Sequence, residues 1–243
     1  MTAYRLHFEP ANLAAIALAT SGKLGDLRYF TSQFAMQVRS PNIRTDADMG
    51  GGPLLDIGIY CINAMRNLFR DEPIEASGQA VADTDRRFRE VPEMVQAQLR
   101  FPGGRFGSFT CSFGSADTSV FQLHGTKGKL ELREAYEMVG PKELHVDIGG
   151  KKQTRRFAKR DQFAPVIEHF SECVLAGRDP APSGEEGIAD LRAIEAIERA
   201  IDRGRTVPLR GRASHGRRPR DSQRGNKPPV RKRTLFHARK PSR

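Results

Sequence analysis

Seven short segments of alternating apolar and polar residues dominate the middle of the chain. Alternation with a period of two places every second side chain on the same face of a β-strand. Turn residues separate the segments, and the Pro-Gly-Gly at 102–104 is typical of a hairpin between two of them. The pattern predicts a sheet with one covered face and one more polar or partner-facing face. The predicted strands are 74–82, 94–101, 105–113, 120–125, 129–134, 143–148 and 154–158.

Helical patterns lie on both sides of this stretch. The first covers 10–20, is closed by Ser21-Gly22, and precedes an aromatic-rich strand over 28–38. A loop rich in Pro, Asn, Asp and Gly follows, and then Pro53 stands where a first helical residue has no partner for an N–H. Further helices are predicted over 53–69, 163–176 and 185–203.

The charge of the chain is concentrated at its C-terminal end. A net charge of +11 and a pI of about 10.0 are typical of nucleic-acid binding. Residues 210–243, however, carry +12, which leaves about −1 for residues 1–209. This Arg-rich tail lacks apolar periodicity, so we predict that it is disordered. Its one aromatic residue, Phe236, provides no stacking platform, which favours an unselected or solubilising extension over salt-sensitive nucleic-acid binding.

Cysteine usage and hydropathy bear on the compartment. Cys61, Cys111 and Cys173 lie far apart in apolar settings, so they are predicted to be buried thiols of a reducing, cytoplasmic environment. No apolar run approaches the roughly 20 residues that span a bilayer. The apolar start of the chain resembles a signal peptide only superficially, because Glu9 and Pro10 interrupt it.

The helix that begins near Pro53 carries an ordered polar stripe. Asp56, Tyr60, Asn63 and Asn67 recur at helical spacing. A second stripe contains Leu55, Ile59, Ile62, Arg66 and Phe69. A suitably placed tyrosine can act as a general acid or base toward a carbonyl or alcohol, which makes Tyr60 a candidate. Equally, Asp56 could satisfy loop N–H groups and Tyr60 could be an ordinary half-buried tyrosine.

Other polar residues leave several interpretations open. His7, in YRLHFEP, could be a base, a ligand or a structural histidine, and no second ligand stands at metal-binding spacing, so no metal is predicted. Arg44 could hold a phosphate, a carboxylate, or simply Asp46 or Asp48. The sequence contains no G-x-G-x-x-G turn, P-loop or serine elbow, so it carries no nucleotide-binding fingerprint.

Several of these motifs, taken in order, resemble a known family. They are YRLHFEP, SGKLG, NIRTDADMGGGPLLDIGIYCINAMRNLF, EPIEASGQA and SGEEGIADLRAIEAI. Over residues 2–209 they resemble the Gfo/Idh/MocA oxidoreductases, most closely the branch around glucose-fructose oxidoreductase. The resemblance implies the α+β C-terminal domain of that family, a large, mostly antiparallel open sheet with helices packed on one face. It also implies that the N-terminal Rossmann domain, with its Gly-rich and Glu-Lys-Pro motifs, would lie upstream of Met1.

The resemblance also implies roles for particular residues. Tyr60 matches the group that exchanges a proton with the sugar oxygen during hydride transfer, and Asp56 matches its acidic partner. Tyr4 and Arg5 match residues near the nicotinamide, and Arg44 matches the loop that borders the active site. His7 and Asn63 complete the expected set of residues close to substrate or cofactor.

Two functional hypotheses follow from the resemblance. In the first, the chain is the substrate domain, 1–209, of an NAD- or NADP-dependent oxidoreductase of a sugar or polyol, followed by the tail, 210–243. In the second, it is an inactive fragment or paralogue that acts only in oligomerisation or binding. Because it lacks a dinucleotide fingerprint, the isolated chain is predicted to have no dehydrogenase activity. Homo-oligomerisation through the sheet face is expected in either case.

Overall fold

A nine-stranded open sheet organises the computed structural model, which describes residues 1–82 and 85–209. The strands are β1 Leu27–Ala35, β2 Glu75–Val81, β3 Met94–Phe101, β4 Arg105–Ser112, β5 Thr118–Gly125, β6 Gly128–Arg133, β7 Lys142–Ile148, β8 Lys151–Phe157 and β9 Val207–Pro208. They lie in the order β8-β7-β6-β5-β1-β4-β3-β2-β9, and every described pair is antiparallel except β1 with β4. This confirms the predicted fold class.

Strand β1 lies at the centre of the sheet although it is the first strand in the chain. It pairs in parallel with β4 on one side, with Tyr29 opposite Phe106, and antiparallel with β5 on the other. Phe30 and Phe34 point into the core, whereas Tyr29 is exposed on the opposite face. Because β1 has a neighbouring strand on each side, its core-facing side chains are fully covered, and large aromatic side chains fill this position well.

Four α-helices lie among the described residues, and three of them pack on the sheet. α2 packs on β1, α4 packs on β2, and α1 packs on β6 and β7. The side chain of Glu9 caps α1 by accepting from the N–H groups of Ala11 and Asn12, and Gly204 ends α4 in a left-handed conformation with φ +58. The helices are α1 Pro10–Thr20, α2 Ile59–Phe69, α3 Ala164–Leu175 and α4 Gly184–Arg203.

The helix predicted over 53–69 starts differently from the prediction. Its first turn, Leu54–Gly58, is a π-turn, and regular α-helix begins only at Ile59. The turn lies against β4, where a Cβ on Gly58 would stand 3.1 Å from the Cys111 sulfur and 3.3 Å from the Phe109 ring. Glycine therefore lets the helix start approach the sheet more closely than any side chain would allow.

Three other sequence expectations can be compared with the structure. All three cysteines are free and buried, as predicted, and burial raises the pKa of Cys61 to about 12. No described helix is both long and apolar enough to cross a membrane. The predicted disordered tail, 210–243, lies outside the described residues.

Candidate active site

Tyr60 lies in the first turn of α2 with its ring half-buried between two other aromatic side chains. The Phe34 ring meets it edge-on at 5.7 Å between centroids, and the Tyr136 ring lies 6.2 Å away. Among residues 1–82 and 85–209, no group forms a hydrogen bond with the Tyr60 hydroxyl. The ring is thus held by packing, while its hydroxyl is left for a ligand or solvent.

Arg5, which was also predicted to lie near the active site, contacts Tyr60. Its guanidinium carbon lies 5.1 Å from the centroid of the Tyr60 ring. The guanidinium is buried and anchored, since it donates to the side chain of Gln162 and to the carbonyl of Tyr136, each at 2.5 Å. A cation held over an aromatic ring is attracted to the negative face of that ring, so Arg5 stabilises the orientation of the Tyr60 ring.

Asp56 pairs with Arg44 rather than with Tyr60. The Arg44 Nε donates to a carboxylate oxygen of Asp56 at 2.6 Å, and both side chains remain partly exposed, at 25% and 39%. The sequence left a phosphate, a carboxylate, Asp46 and Asp48 as possible partners of Arg44. In the structure its partner is the carboxylate of Asp56. Nothing within the described residues joins Asp56 to Tyr60 by a hydrogen bond, although the two lie one turn apart.

The loop that carries Arg44 is closed by backbone hydrogen bonds. The N–H of Gly51 donates to the carbonyl of Asp46, and the N–H of Gly52 donates to that of Arg44, both at 2.9 Å. A Cβ on Gly51 would lie 2.6 Å and 2.7 Å from these two carbonyl oxygens. Glycine at 51 is therefore a steric requirement of the loop that presents the Arg44–Asp56 pair.

A small, mostly apolar recess brings four of the predicted residues together. It opens between the 3₁₀ turn Arg5–Phe8, α1 and α2. Arg44 and Asp56 are not part of its lining. Its walls are formed by Tyr4, Leu6, His7, Asn12, Ile16, Ile59, Tyr60, Asn63, Ala64 and Asn67. Four of the predicted residues thus line the recess, while Arg44 and Asp56 form a separate charged pair outside it.

A buried ion network next to the recess was not predicted. Arg66 is fully buried, and the other members of its helical stripe, Leu55, Ile59, Ile62 and Phe69, are apolar. It makes two bonds to the Glu72 carboxylate, at 2.6 Å and 2.7 Å, and donates to Asp190 on α4. Burial raises the pKa of the fully buried Asp190, and the charge of Arg66 opposes that rise. An arginine within an apolar stripe was the one signal that could have revealed this network.

Lys142 is another buried cation that was not predicted. Its ammonium donates to the backbone carbonyls of Glu134 and Glu137, and burial lowers its pKa to about 8. Gln162, which holds Arg5, also donates to the carbonyl of Glu137. Lys142 therefore stabilises the β6–β7 connection on which the anchor of Arg5 rests.

The sequence of the chain is similar to those of known proteins. A family model described as the GFO/IDH/MocA C-terminal domain matches residues 13–131. The D-xylose 1-dehydrogenase (NADP(+)) of Haloarcula marismortui is 31% identical over 216 residues, which cover 86% of this chain and 60% of that protein. The trans-1,2-dihydrobenzene-1,2-diol dehydrogenase of Bos taurus is 35% identical over 223 residues, which cover 86% of this chain and 63% of that protein.

A solved structure is similar over the same extent. The crystal structure of an aldose-aldose oxidoreductase from Caulobacter crescentus, complexed with glycerol, superposes with a TM-score of 0.80 and 36% identity. The match covers 85% of this chain and 62% of that one. The chain therefore spans about 60% of the length of the relatives it matches.

Proposed function

The chain belongs to the Gfo/Idh/MocA family through its C-terminal domain, and we propose that it is the substrate domain of an NAD(P)-dependent oxidoreductase of a sugar or polyol. The observation that carries this proposal is the recess that presents the free hydroxyl of Tyr60, with Arg5 anchored over the ring. The names of its relatives, among them an NADP(+)-dependent D-xylose dehydrogenase and an aldose-aldose oxidoreductase, support that substrate class.

Each group of the site has a proposed task. Tyr60 exchanges a proton with the reacting hydroxyl or carbonyl oxygen of the substrate. The partly exposed Arg44–Asp56 pair offers both a donor and an acceptor to the other hydroxyl groups. Tyr4, which lines the recess, and Arg5, which contacts Tyr60, stand where the nicotinamide would border it. Hydrogen bonds to several hydroxyls at fixed distances would select a polyhydroxylated substrate.

The dinucleotide itself does not fit the residues that the structure describes. A pyrophosphate is usually held by a glycine-rich turn between a strand and the N-terminus of a helix. The three glycines at 50–52 instead follow a 3₁₀ turn, and all three of their N–H groups donate to backbone carbonyls within the loop. We therefore assign the chain a substrate-binding role and place the pyrophosphate site outside residues 1–82 and 85–209.

Sugar binding can be tested with the tyrosine rings, because the chain contains only four tyrosines. With ring-labelled tyrosine, a titration with D-xylose is expected to shift the NMR signals of Tyr4 and Tyr60 but not that of Tyr29 on the far side of the sheet. Tyr60→Phe should weaken binding about 2- to 10-fold, the effect of one lost hydrogen bond. NADP+ with D-xylose should give no turnover with this chain alone.

The four signals are assigned with single Tyr→Phe variants, and Tyr29→Phe serves as the matched control for affinity. Equal shifts of all four rings, or no shift at saturating sugar, would contradict the proposed substrate site. Reduction of NADP+ by the purified chain would show that the dinucleotide site has been placed wrongly.

The open face of the sheet supports a second role, association with another copy of the chain. The helices that pack on the sheet cover its other face, and the middle of the open face carries uncharged Gln33, Gln96 and Gln122. Tyr29 and Phe106 are 45% and 42% exposed there. Depletion of charge with exposed aromatic residues is typical of the centre of a protein interface.

We expect light scattering to show association that Phe106→Glu weakens, because the change removes an exposed aromatic ring and places a carboxylate within the proposed interface. Phe170→Glu is the control, since Phe170 is similarly exposed, at 45%, but lies on α3. Dissociation by Phe170→Glu and not by Phe106→Glu would move the interface from the sheet to α3. A wild-type monomer at all concentrations would reject self-association.

A further inference from the structure

The side-chain amide of Asn63 has a defined orientation because two carboxylates receive its hydrogens. Its nitrogen donates to Asp190 at 2.7 Å and to Glu186 at 3.1 Å. The Asp190 carboxylate also accepts from Arg66, which favours its ionised form. Carboxylate oxygens accept these two hydrogen bonds, so the Asn63 nitrogen faces them and its oxygen faces the opposite way.

The orientation of Asn63 determines the tautomer of His7. The Asn63 oxygen accepts from the side-chain nitrogen of Asn67 at 3.0 Å and lies 2.9 Å from Nε2 of His7. Because an amide oxygen cannot donate, Nε2 of His7 must carry the hydrogen of this bond. In a neutral imidazole the other nitrogen, Nδ1, is then the unprotonated one.

Tyr4 lies beside the same network. Its ring stacks on that of His7, with centroids 5.7 Å apart and planes 21° from parallel. Burial and the nearby charge of Asp190 raise the pKa of Tyr4. The phenol therefore stays protonated, and it forms the part of the recess wall next to His7.

We propose that Asp190 is a positioning residue of the recess: by accepting from Asn63 it orients that side chain and selects the Nε2-protonated tautomer of His7. Its relevance to substrate rests on the function proposed above, since His7 and Asn63 form part of the recess wall beside Tyr60. Asp190 is fully buried and does not line the recess, so it acts through these two residues.

The tautomer can be read directly from the ring nitrogens of His7 in the uniformly ¹⁵N-labelled full chain. Long-range ¹H–¹⁵N spectra should show a protonated Nε2 and an unprotonated Nδ1 in the wild type at neutral pH. In Asp190→Asn, the new amide keeps its oxygen toward Arg66 and turns its nitrogen toward Asn63. The Asn63 nitrogen then keeps only Glu186 as an acceptor, at 3.1 Å, and meets a donor at position 190. Both orientations of the Asn63 amide are therefore expected to be populated, so that His7 exchanges between its two neutral tautomers.

Glu72→Gln is the matched control, because it also removes a carboxylate partner of Arg66 but has no hydrogen bond to Asn63 among the described contacts. The expected result is a clearly smaller ¹⁵N shift difference between the two His7 nitrogens in Asp190→Asn, because exchange between the tautomers averages them, and an unchanged difference in Glu72→Gln. Asn63→Leu should cause the same decrease because it removes the acceptor of the Nε2 hydrogen, and it keeps the test decisive if Asp190→Asn does not fold.

Three outcomes would overturn the proposal. They are an Nδ1-protonated His7 in the wild type, an unchanged tautomer in the folded Asp190→Asn and Asn63→Leu variants, and an equal change in Glu72→Gln. No sugar is present in this experiment. A failure here is therefore distinguishable from a failure of the proposed substrate site, which the xylose titration tests separately.

Discussion

Arg66→Met is expected to lower the free energy of unfolding by about 3–5 kcal/mol, the cost typical of removing one partner from a buried ion pair. Arg66 is fully buried, and so is the Asp190 carboxylate to which it donates. Methionine fills a similar volume, so the loss comes from an uncompensated charge rather than from a cavity. Urea unfolding followed by circular dichroism measures the change.

A double variant separates charge from packing. Arg66→Met combined with Asp190→Leu removes the most deeply buried of the carboxylates that Arg66 pairs with, so we expect it to recover a large part of the lost stability. Arg100→Met is the surface control, because Arg100 pairs with Glu75 where both side chains are about one-third exposed or more, at 40% and 35%. A double variant no more stable than Arg66→Met, or an equal loss in Arg100→Met, would contradict the role assigned to the buried charge.

Gly58→Val is expected to destabilise the fold by about 3 kcal/mol, near the upper end of the range for overpacking in a core. A Cβ at this position would stand 3.0 Å from a Leu54 methyl group and 3.1 Å from the Cys111 sulfur. Two further methyl groups would push the π-turn away from β4 and displace the neighbouring Tyr60. The free energy of unfolding and the Tyr60 ring signal report these two effects.

Gly58→Ala provides the graded comparison. Its backbone is helical, with φ −61, so alanine gains up to about 1 kcal/mol of helix propensity and loses a similar amount to the close contacts. The expected net change is therefore small. Gly184→Val, at the start of α4 where a Cβ would meet nothing within 4 Å, is the control for a bulky residue in open space. Similar losses in Gly58→Val and Gly184→Val would contradict the steric explanation.

The strands and helices could be predicted closely because their signals are local. The segment predicted over 94–101 is strand β3 Met94–Phe101, and that over 10–20 is helix α1 Pro10–Thr20. Strand β9, Val207–Pro208, was missed, because two residues are too short for a periodic signal. The π-turn at Leu54–Gly58 was also missed, because contact with β4 produces it and the helical spacing of the segment does not.

The candidate site was predictable only in part. The helical spacing predicted one stripe that contains Tyr60 and Asn63, and both line the recess, where they meet Tyr4 and His7 from a distant part of the chain. It did not reveal that Asp56 pairs with Arg44, which comes from a preceding loop. Projection onto a helix gives the direction of a side chain but not the identity of the group that it meets.

Local residue patterns by themselves determined the alternating strands, the helices and the position of Tyr60, since hydrophobic periodicity and turn residues act over a few positions. Only the tertiary structure placed β1 between β4 and β5 and brought Asp190 to Arg66, 124 positions earlier in the chain. These pairings depend on chain closure and burial, and a buried charge takes whichever partner the packed core presents. For that reason the helical stripe that carries Tyr60 could be predicted from the sequence, while the network around the recess became visible only in the fold.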